Sequence, residues 1–534
     1  MVRRLTRASV PRNKWHVPDT THPQLITTTS CCVFPPTVAS ARLCCSSAAK
    51  RRRRPSASSA AGGHVAIMSL RVAVIGAGGA GLAAARELRR EGLAAVVYER
   101  AAGVGGTWVY DGDDADGQST STLYASLRTT LPREVMGFLD VPFVAGQGSV
   151  DARRFPGHRE VLRYVEDLAR RFDLYSVVRL RTEVLSVRRN NDGVQDQLAS
   201  SSSWRVRWRR LGTRHDDEEV EEEEVFDAVV VCNGHYTEPR VADIPGVDAW
   251  PGKQMHSRSY RVPEPFAGQV VVIIGAKNSG SDISRDIASV AKEVHIANRS
   301  APAATCERLP GYHNLWLRSM VEHAEEDGRL VFRDGSCIKA DVIMHCTGYK
   351  YSFPFLGDDA SIAVDGNRVD PLYKHVFPPH VAPHLSFIGL PFKVIPFPMF
   401  QLQSSWVAGV LSGRIQLPPK DEMMQDVRAW YSEMEAAGWP KGHTHCLLHN
   451  QFEYADWLAE QCGHPKLEEW RKHMYDAVCK KKVHCSDTYR EEWEDHHLLE
   501  QAYQDFRKYM RVGLVQWIAR LKMRIFGRTE IPTE

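Results

Sequence analysis

The sequence predicts an α/β protein in which one doubly wound, parallel-sheet unit is interrupted by a second and followed by a helical C-terminal region. Three observations predict it. A strand near residue 70 ends in a glycine turn and enters an alanine-rich helix, the pattern returns near residue 270, and two apolar strands of like design, Phe226–Val231 and Asp341–Met344, bracket the second copy. Each copy has the form of a Rossmann-like dinucleotide-binding domain.

The first copy reads RVAVIGAGGAG over Arg71–Gly81. Val72–Ile75 is the buried strand, Gly76-x-Gly78-x-x-Gly81 the turn, and Leu82–Leu88 the start of the helix. Gly76 allows the tight turn, Gly78 lets backbone approach a pyrophosphate, and Gly81 lets helix and strand pack, while the helix N-terminus offers unpaired N–H groups to phosphates. Ala95–Tyr98 is a second strand ending in Glu99, eighteen residues past Gly81, where a carboxylate takes the hydroxyls of an adenosine ribose. That context separates the motif from an ordinary glycine turn. Next comes Gly103-Val104-Gly105-Gly106-Thr107-Trp108, whose small residues let backbone pass close to a flat cofactor while Trp108 walls it.

Ser126–Arg133 reads as a polar connection and Pro156–Phe172 as an amphipathic helix. Residues 182–189 and Trp204–Arg209 read as a strand pair, with a polar loop (190–203) between them and an acidic run, Asp216–Glu224, beyond; both are expected to be solvated decoration. In the second copy Val270–Ile274 is the strand, Gly275-Ala276-Lys277-Asn278-Ser279-Gly280 the turn, Ser281–Val290 the helix and Val294–Ala297 the next strand. It ends in Asn298-Arg299-Ser300, so Arg and Ser stand where an NAD-specific fold carries an acid, and an arginine there pairs with a 2′-phosphate. The expected division is a leader at 1–67, a first FAD-domain segment at 68–245, an inserted NADP domain at 246–340, a second FAD-domain segment at 341–420, and helices from 421 to 534. Two redox cofactors then face each other across a domain cleft.

At 534 residues, 43% hydrophobic and 25% charged, the chain has the length for about two to four domains. Its net charge of +3 misleads: residues 1–67 carry 11 Lys/Arg against one acid, Asp19, which leaves 57 basic and 64 acidic residues and a body of about −7. Nothing there suggests a nucleic-acid surface. The leader is rich in Arg, Ser and Thr, as transit peptides are, but Met68 two residues before the first strand would serve as a start without it. The expected location is the cytoplasm, or the plastid if the leader is a real transit peptide. No apolar run is long enough to span a membrane, and the twelve cysteines show no disulfide framework. Val512–Phe526 is amphipathic and reads as a docked terminal helix, and His443, His445, Cys446 and His449 match no metal-ligand spacing, so no metal is expected.

Trp250-x-Gly252-x-x-x-His256-x-x-x-Tyr260 brings in a family. It resembles the fingerprint FxGxxxHxxx(Y/F) of the flavin-containing monooxygenases, with Trp250 in the Phe position. The resemblance extends over 70–510, through both glycine turns, VVVCNGHYTEP, HCTGYKYSFPFL, LYKHVFPP and WVAGVLSGRIQLP, and looks most similar to the plant S-oxygenating branch of glucosinolate S-oxygenases. It implies that NADPH reduces FAD, that dioxygen adds to the flavin as a C4a-hydroperoxide, and that a soft nucleophile, most readily a thioether sulfur, takes one oxygen. FAD is then held by Gly76, Gly78, Gly81, Glu99, Gly106, Thr107, Trp108 and Thr129, and NADPH by Gly275, Asn278, Ser279, Gly280, Asp282, Arg299 and Ser300. The partners implied are a small nucleophilic substrate and dioxygen, with a homodimer left open.

Two departures matter. The family's SLRTN reads SLRTT here, so Thr130 takes the place of a catalytic asparagine, and a hydroxyl offers one donor where an amide offers two. Gln401 stands where plant relatives tend to carry Glu. His256, alone in a linker, is expected to orient backbone or the domain interface rather than act as a base. A disulfide reductase needs a cysteine pair after the first unit, and Gly103–Arg133 has none; a Baeyer–Villiger enzyme ends its fingerprint in Trp-Pro, and this one ends Tyr260-Arg261. An N-hydroxylating monooxygenase, and an NADPH oxidase or flavin-binding regulator uncoupled by Thr130, stay as alternatives.

Overall fold

A computed structural model describes residues 69–112, 121–190, 203–212, 221–357 and 361–510. The leader and the terminal helix expected over Val512–Phe526 lie outside them.

Two parallel sheets carry the architecture. The first has the strand order Leu385–Phe387, Ala228–Val231, Arg71–Ile75, Ala94–Tyr98, Val178–Arg179, every neighbouring pair parallel. Alternation along its central strand divides two cores. Val72 and Val74 pack with the helices Gly79–Arg90, His158–Arg171 and Pro396–Leu411, while Ala73 and Ile75 pack with Trp204, Val206 and Phe226 on the opposite face. Pro396–Leu411 is buried on nearly every side, which fits a sequence without a charged residue.

That opposite face is covered by an antiparallel meander, Thr182–Arg189, Trp204–Arg210 and Glu221–Phe226. Here the acidic run departs from expectation, because its second half is a strand. Arg205 Nη1 donates to Glu223 (2.7 Å), and Glu224 takes Arg71 Nη2 (2.8 Å), Trp208 Nε1 (3.2 Å) and Arg179, which hold its carboxyl down at about 2. Cross-strand arginines neutralise a run that would otherwise resist pairing.

The second sheet runs Cys306–Arg308, Leu315–Ser319, Glu293–Asn298, Val270–Ile274, Val342–His345, Lys253–His256, parallel except at the first edge strand. Val342–His345 therefore belongs to the inserted unit, pairing with Val270–Ile274, and the boundary expected at 340 moves beyond His345. Its apolar pattern fits either sheet equally; only the pairing partner decides.

Helices Lys420–Ala436, Gln451–Cys462 and Glu469–His484, then a further one over 496–510, dock on the first unit. Arg471 is the deepest anchor: its buried guanidinium donates to Val135 O (2.6 Å), Gly137 O (3.2 Å) and Glu134 O (3.3 Å) at the end of the short helix Arg133–Met136. A cation satisfies the carbonyls that a helix C-terminus leaves open. No helix among the described residues is long and apolar enough to cross a membrane.

Candidate functional site

The two glycine turns are one structure built twice. Gly76 has φ +103°, donates its N–H to Tyr98 O (2.8 Å), and a Cβ added to it would come within 2.6 Å of Cys232 O. Gly275 has φ +111°, donates to Ala297 O (2.9 Å), and its Cβ would come within 2.6 Å of Cys346 O. A Cβ on Gly81 or Gly280 would collide with the carbonyl oxygen of Gly76 or Gly275. The chain's own conformation and packing thus require these four glycines.

Gly78 is different. Its φ of −74° suits any residue, and a Cβ there would meet nothing nearer than Gly106 Cα at 3.4 Å. The fold leaves a slot between two stretches of bare backbone, which is what a ligand pressed against the turn needs. Gly105 N–H donates to Ala77 O (3.0 Å) and ties the far wall to the turn; Gly106, Thr107 and Trp108 follow as a single helical turn, with Thr107 exposed and Trp108 half-buried.

Glu99 already serves the turn. Its Oε2 accepts Ala77 N–H (2.7 Å) and its Oε1 accepts Ala101 N–H (2.8 Å), and each oxygen keeps a lone pair for a ribose hydroxyl. Two buried polar atoms point to an additional occupant. Thr129 Oγ1 is buried without a hydrogen-bond partner, although its backbone is held by Pro156 O (2.9 Å) and Arg490 Nε (3.0 Å). His235 donates from Nδ1 to Gly389 O (3.0 Å), which leaves Nε2 a bare, buried acceptor, and burial pulls its pKa down to about 4. An unmet buried polar group costs about 1–3 kcal/mol unless something supplies the bond. The slot and these two atoms fit FAD. His235 was missed in the sequence; its position just past the Ala228–Val231 strand, in Cys-Asn-Gly-His, was the available signal. Thr130, half-buried, follows Thr129.

In the second cradle, register corrects the expectation that Arg299 and Ser300 occupy the acid's place. Ile75 pairs with Tyr98 and Ile274 with Ala297, so Asn298 stands where Glu99 does. Its Oδ1 accepts Ser300 N–H (3.0 Å), and Arg299 and Ser300 are exposed beside it. A neutral amide does not repel a phosphate as a carboxylate would. Lys277 is partly desolvated and close enough to Lys393, Arg299 and Arg240 for burial and those charges to lower its pKa. None of these four cations has an ion-pair partner among the described residues. An unneutralised basic cluster at the carboxyl ends of parallel strands fits the phosphates of NADPH. Ser279 is half-buried at the turn, while Asn278 accepts from Lys482 Nζ (2.6 Å) and Asp282 from Arg490 Nη2 (2.8 Å).

The fingerprint residues form a joint. The Trp250 ring lies where a Cβ on Gly252 would be, His256 accepts Arg258 N–H at Nδ1 (3.1 Å) and donates from Nε2 to Gly348 O (3.0 Å), and Tyr260 donates to Asp286 (2.6 Å). His256 thus orients backbone where the chain enters and leaves the inserted unit. Gln401 also gains a role: Oε1 accepts Leu139 N–H (2.8 Å) while Nε2 donates to Asp140 (3.1 Å), two opposite demands that an amide meets and an ionised carboxylate does not. His445 is a packing residue, its Nε2 accepting Val369 N–H (3.1 Å) and its Nδ1 donating to His375 Nδ1 (3.1 Å).

A family model described as flavin-binding monooxygenase-like matches residues 69–309 and 309–468. The chain is 54% identical over 455 residues to flavin-containing monooxygenase FMO GS-OX-like 4 of Arabidopsis thaliana, covering 83% of this chain and 98% of that one. FMO GS-OX5 of the same plant is 52% identical over 452 residues, covering 82% and 95%. Among solved structures, S-allyl-L-cysteine S-oxygenase from Allium sativum superposes with a TM-score of 0.76 at 54% identity, covering 83% of this chain and 99% of that one. Tmm from Pelagibacter gives 0.67 at 25% identity, covering 79% and 93%.

Proposed function

The chain belongs to the flavin-containing monooxygenase family, and from that premise we propose that it oxygenates the sulfur of a small thioether. It is an NADPH-dependent flavoprotein monooxygenase: FAD, once bound and reduced by NADPH, would activate dioxygen so that one oxygen atom passes to the sulfur and the other leaves as water. The residues hold and shield. Gly76, Gly78, Gly81 and Gly106 shape the slot for FAD, Glu99 orders the turn and keeps acceptor capacity for the ribose, and Thr129 and His235 offer the polar atoms that lack a partner in the protein. Gly275, Ser279 and Gly280 shape the NADPH turn, and Arg299, Ser300 and Lys277 take the phosphates. Thr130, standing where the family's motif ends in asparagine, takes the catalytic place.

The single observation that carries the sulfur assignment is 54% identity to a solved S-allyl-L-cysteine S-oxygenase across 99% of its length. The test incubates the holoenzyme with NADPH, labelled dioxygen and a panel of thioethers and amines, S-allyl-L-cysteine included. One labelled oxygen in a sulfoxide per NADPH consumed supports the proposal; labelled hydroxylamines without sulfoxides favour the N-hydroxylating reading. Thr130 supports one alternative, an uncoupled oxidase, because a hydroxyl donates one hydrogen bond where the family's amide donates two. Peroxide formed one-for-one with NADPH, whatever the thioether, would establish it. The reading places the enzyme in the cytoplasm, with the plastid as alternative; a fluorescent fusion to residues 1–67 decides. Sedimentation of the holoenzyme tests for a homodimer.

A further inference from the structure

Residues 482–495 have no part in the reading above, yet they touch both units. Three side chains on one face of the Asn278–Ala288 helix, spaced by four and three, meet them. Asn278 Oδ1 accepts from Lys482 Nζ (2.6 Å), Asp282 Oδ2 from Arg490 Nη2 (2.8 Å), and Arg285 Nε donates to Asp487 Oδ1 (2.6 Å). On the side of the first unit, Arg128 pairs with Glu491, and Asp495 accepts both Arg154 Nη atoms (2.6 and 2.7 Å). Phe155, fully buried, packs against Tyr489 and Trp493, each with ring centroids 5.8 Å away.

Arg490 reaches both units at once. While Nη2 holds Asp282, Nε donates to the carbonyl of Thr129 (3.0 Å), the residue before Thr130 and the one with the unmet buried hydroxyl. Tyr124 Oη, from the first unit, approaches the same Asp282 oxygen at 3.5 Å. A guanidinium is planar and moves as one piece, so its two partners cannot shift independently. Asp282 sits in the first turns of the helix whose N-terminus faces the second nucleotide, where a bare carboxylate would oppose a phosphate; the guanidinium cancels that charge. Asp282, expected to contact the nucleotide, spends its Oδ2 on Arg490.

We propose that Arg490 is a positioning residue: by gripping Asp282 and the Thr129 carbonyl with one rigid fork, it sets the register of the NADPH cradle against the FAD cradle. The step that depends on this register is flavin reduction, in which a hydride passes from the nicotinamide to oxidised FAD, leaving NADP⁺ and the reduced flavin anion. The inference rests on the two cofactors and not on the sulfur substrate, so a failed substrate panel leaves it standing.

The test compares Arg490→Ala, Arg490→Lys, Asp282→Asn and the Ala/Asn double variant as holoenzymes. Expected for Arg490→Ala are unchanged FAD content, unchanged calorimetric affinity for 2′,5′-ADP, faster amide hydrogen exchange in both 124–130 and 278–285, and flavin reduction at saturating NADPH slowed about 10- to 100-fold, as misplaced reactants are. Arg490→Lys, which keeps the charge and loses the fork, falls between; the double variant is no slower than Arg490→Ala. Lost 2′,5′-ADP affinity without a change in exchange would make Asp282 or Arg490 a nucleotide contact and overturn the proposal, as would an unchanged reduction rate. If Arg490→Ala does not fold, the isosteric Asp282→Asn carries the same readouts.

Discussion

Gly78→Ala separates what the fold needs from what the cofactor needs. The φ of −74° admits alanine, and its methyl would sit 3.4 Å from Gly106 Cα and 3.8 Å from Gly106 N, ordinary contact distances. At this helix N-cap alanine is worse than glycine by up to about 1 kcal/mol. The smaller entropy of the unfolded chain returns about 0.4–1 kcal/mol. The apoprotein should therefore melt within a few degrees of wild type. Flavin binding should not survive as well, because the methyl fills the slot the ligand uses. Forcing one methylene into a filled site costs roughly 1–3 kcal/mol. That is about 10- to 100-fold in affinity. The assay pairs thermal melts of both apoproteins with FAD titration followed by flavin absorbance. An apoprotein as stable as wild type that stays nearly colourless is the expected result. Full flavin occupancy with unchanged affinity would refute the slot. Gly81→Ala is the control: its Cβ would collide with Gly76 O, so helix and strand must part and the apoprotein itself should be destabilised. A normally stable Gly81→Ala would show that the turn geometry does not constrain the chain as described.

Arg299→Ala should raise the Michaelis constant for NADPH about 10- to 100-fold, the worth of a charge-assisted phosphate contact, with little effect on NADH; equal effects would remove the 2′-phosphate assignment. Gln401→Glu would set a second carboxylate against Asp140, so the new acid's pKa is raised in the folded state and stability should fall as pH rises through it; melts at pH 5 and 8 that match wild type would contradict this. His375 and His445 are buried neutral, burial taking His375 down to about 3 and His445 well below its ordinary value. The unfolded chain takes up their protons near pH 6.5 and the folded one does not, so stability should be flat above about pH 7. It should drop by up to about 1.4 kcal/mol per pH unit for each imidazole between pH 6.5 and 4, a slope that His375→Gln should reduce.

The features legible in the sequence are those whose physical requirement is local. Gly76 and Gly275 need positive φ, Gly81 and Gly280 need a missing Cβ, and each requirement sits within six residues of its strand, so the motif carries it whole. The strand Val342–His345 was misassigned because its apolar pattern records burial and not the neighbour it pairs with. Asn298 was overlooked for the same reason: only the register of Ile274 with Ala297 aligns it with Glu99. The acidic strand Glu221–Phe226 depends on arginines at 71, 179 and 205, none of them adjacent in sequence. Arg490 reads as one charge among many in a polar helical stretch until Asp282, 208 residues away, closes on it.

The duplication bears on why such a strap exists. Each cradle presents a glycine turn and a helix N-terminus at the carboxyl end of its own sheet, so two separate polyanionic nucleotides must be brought edge to edge. Backbone continuity enforces little of that alignment, because the chain crosses between the units only around Tyr236–Trp250 and again after His345. The His256–Gly348 bond fastens those crossings to each other, which fixes the hinge end of the inserted unit. A body held at one end still rotates about it. The contacts from Lys482, Asp487 and Arg490 lie on the Asn278–Ala288 helix, which Ser126 Oγ of the first unit also meets at Asp286 (2.7 Å), and together they supply the second point of attachment that removes the rotation. Loosening the joint and loosening the strap should therefore differ in kind. His256→Ala should destabilise the inserted unit itself, seen as faster exchange throughout 253–345, whereas loss of the strap should leave the interior of that sheet protected and expose only its border with the first unit. Matching exchange patterns for the two variants would mean that the inserted unit has one attachment and not two.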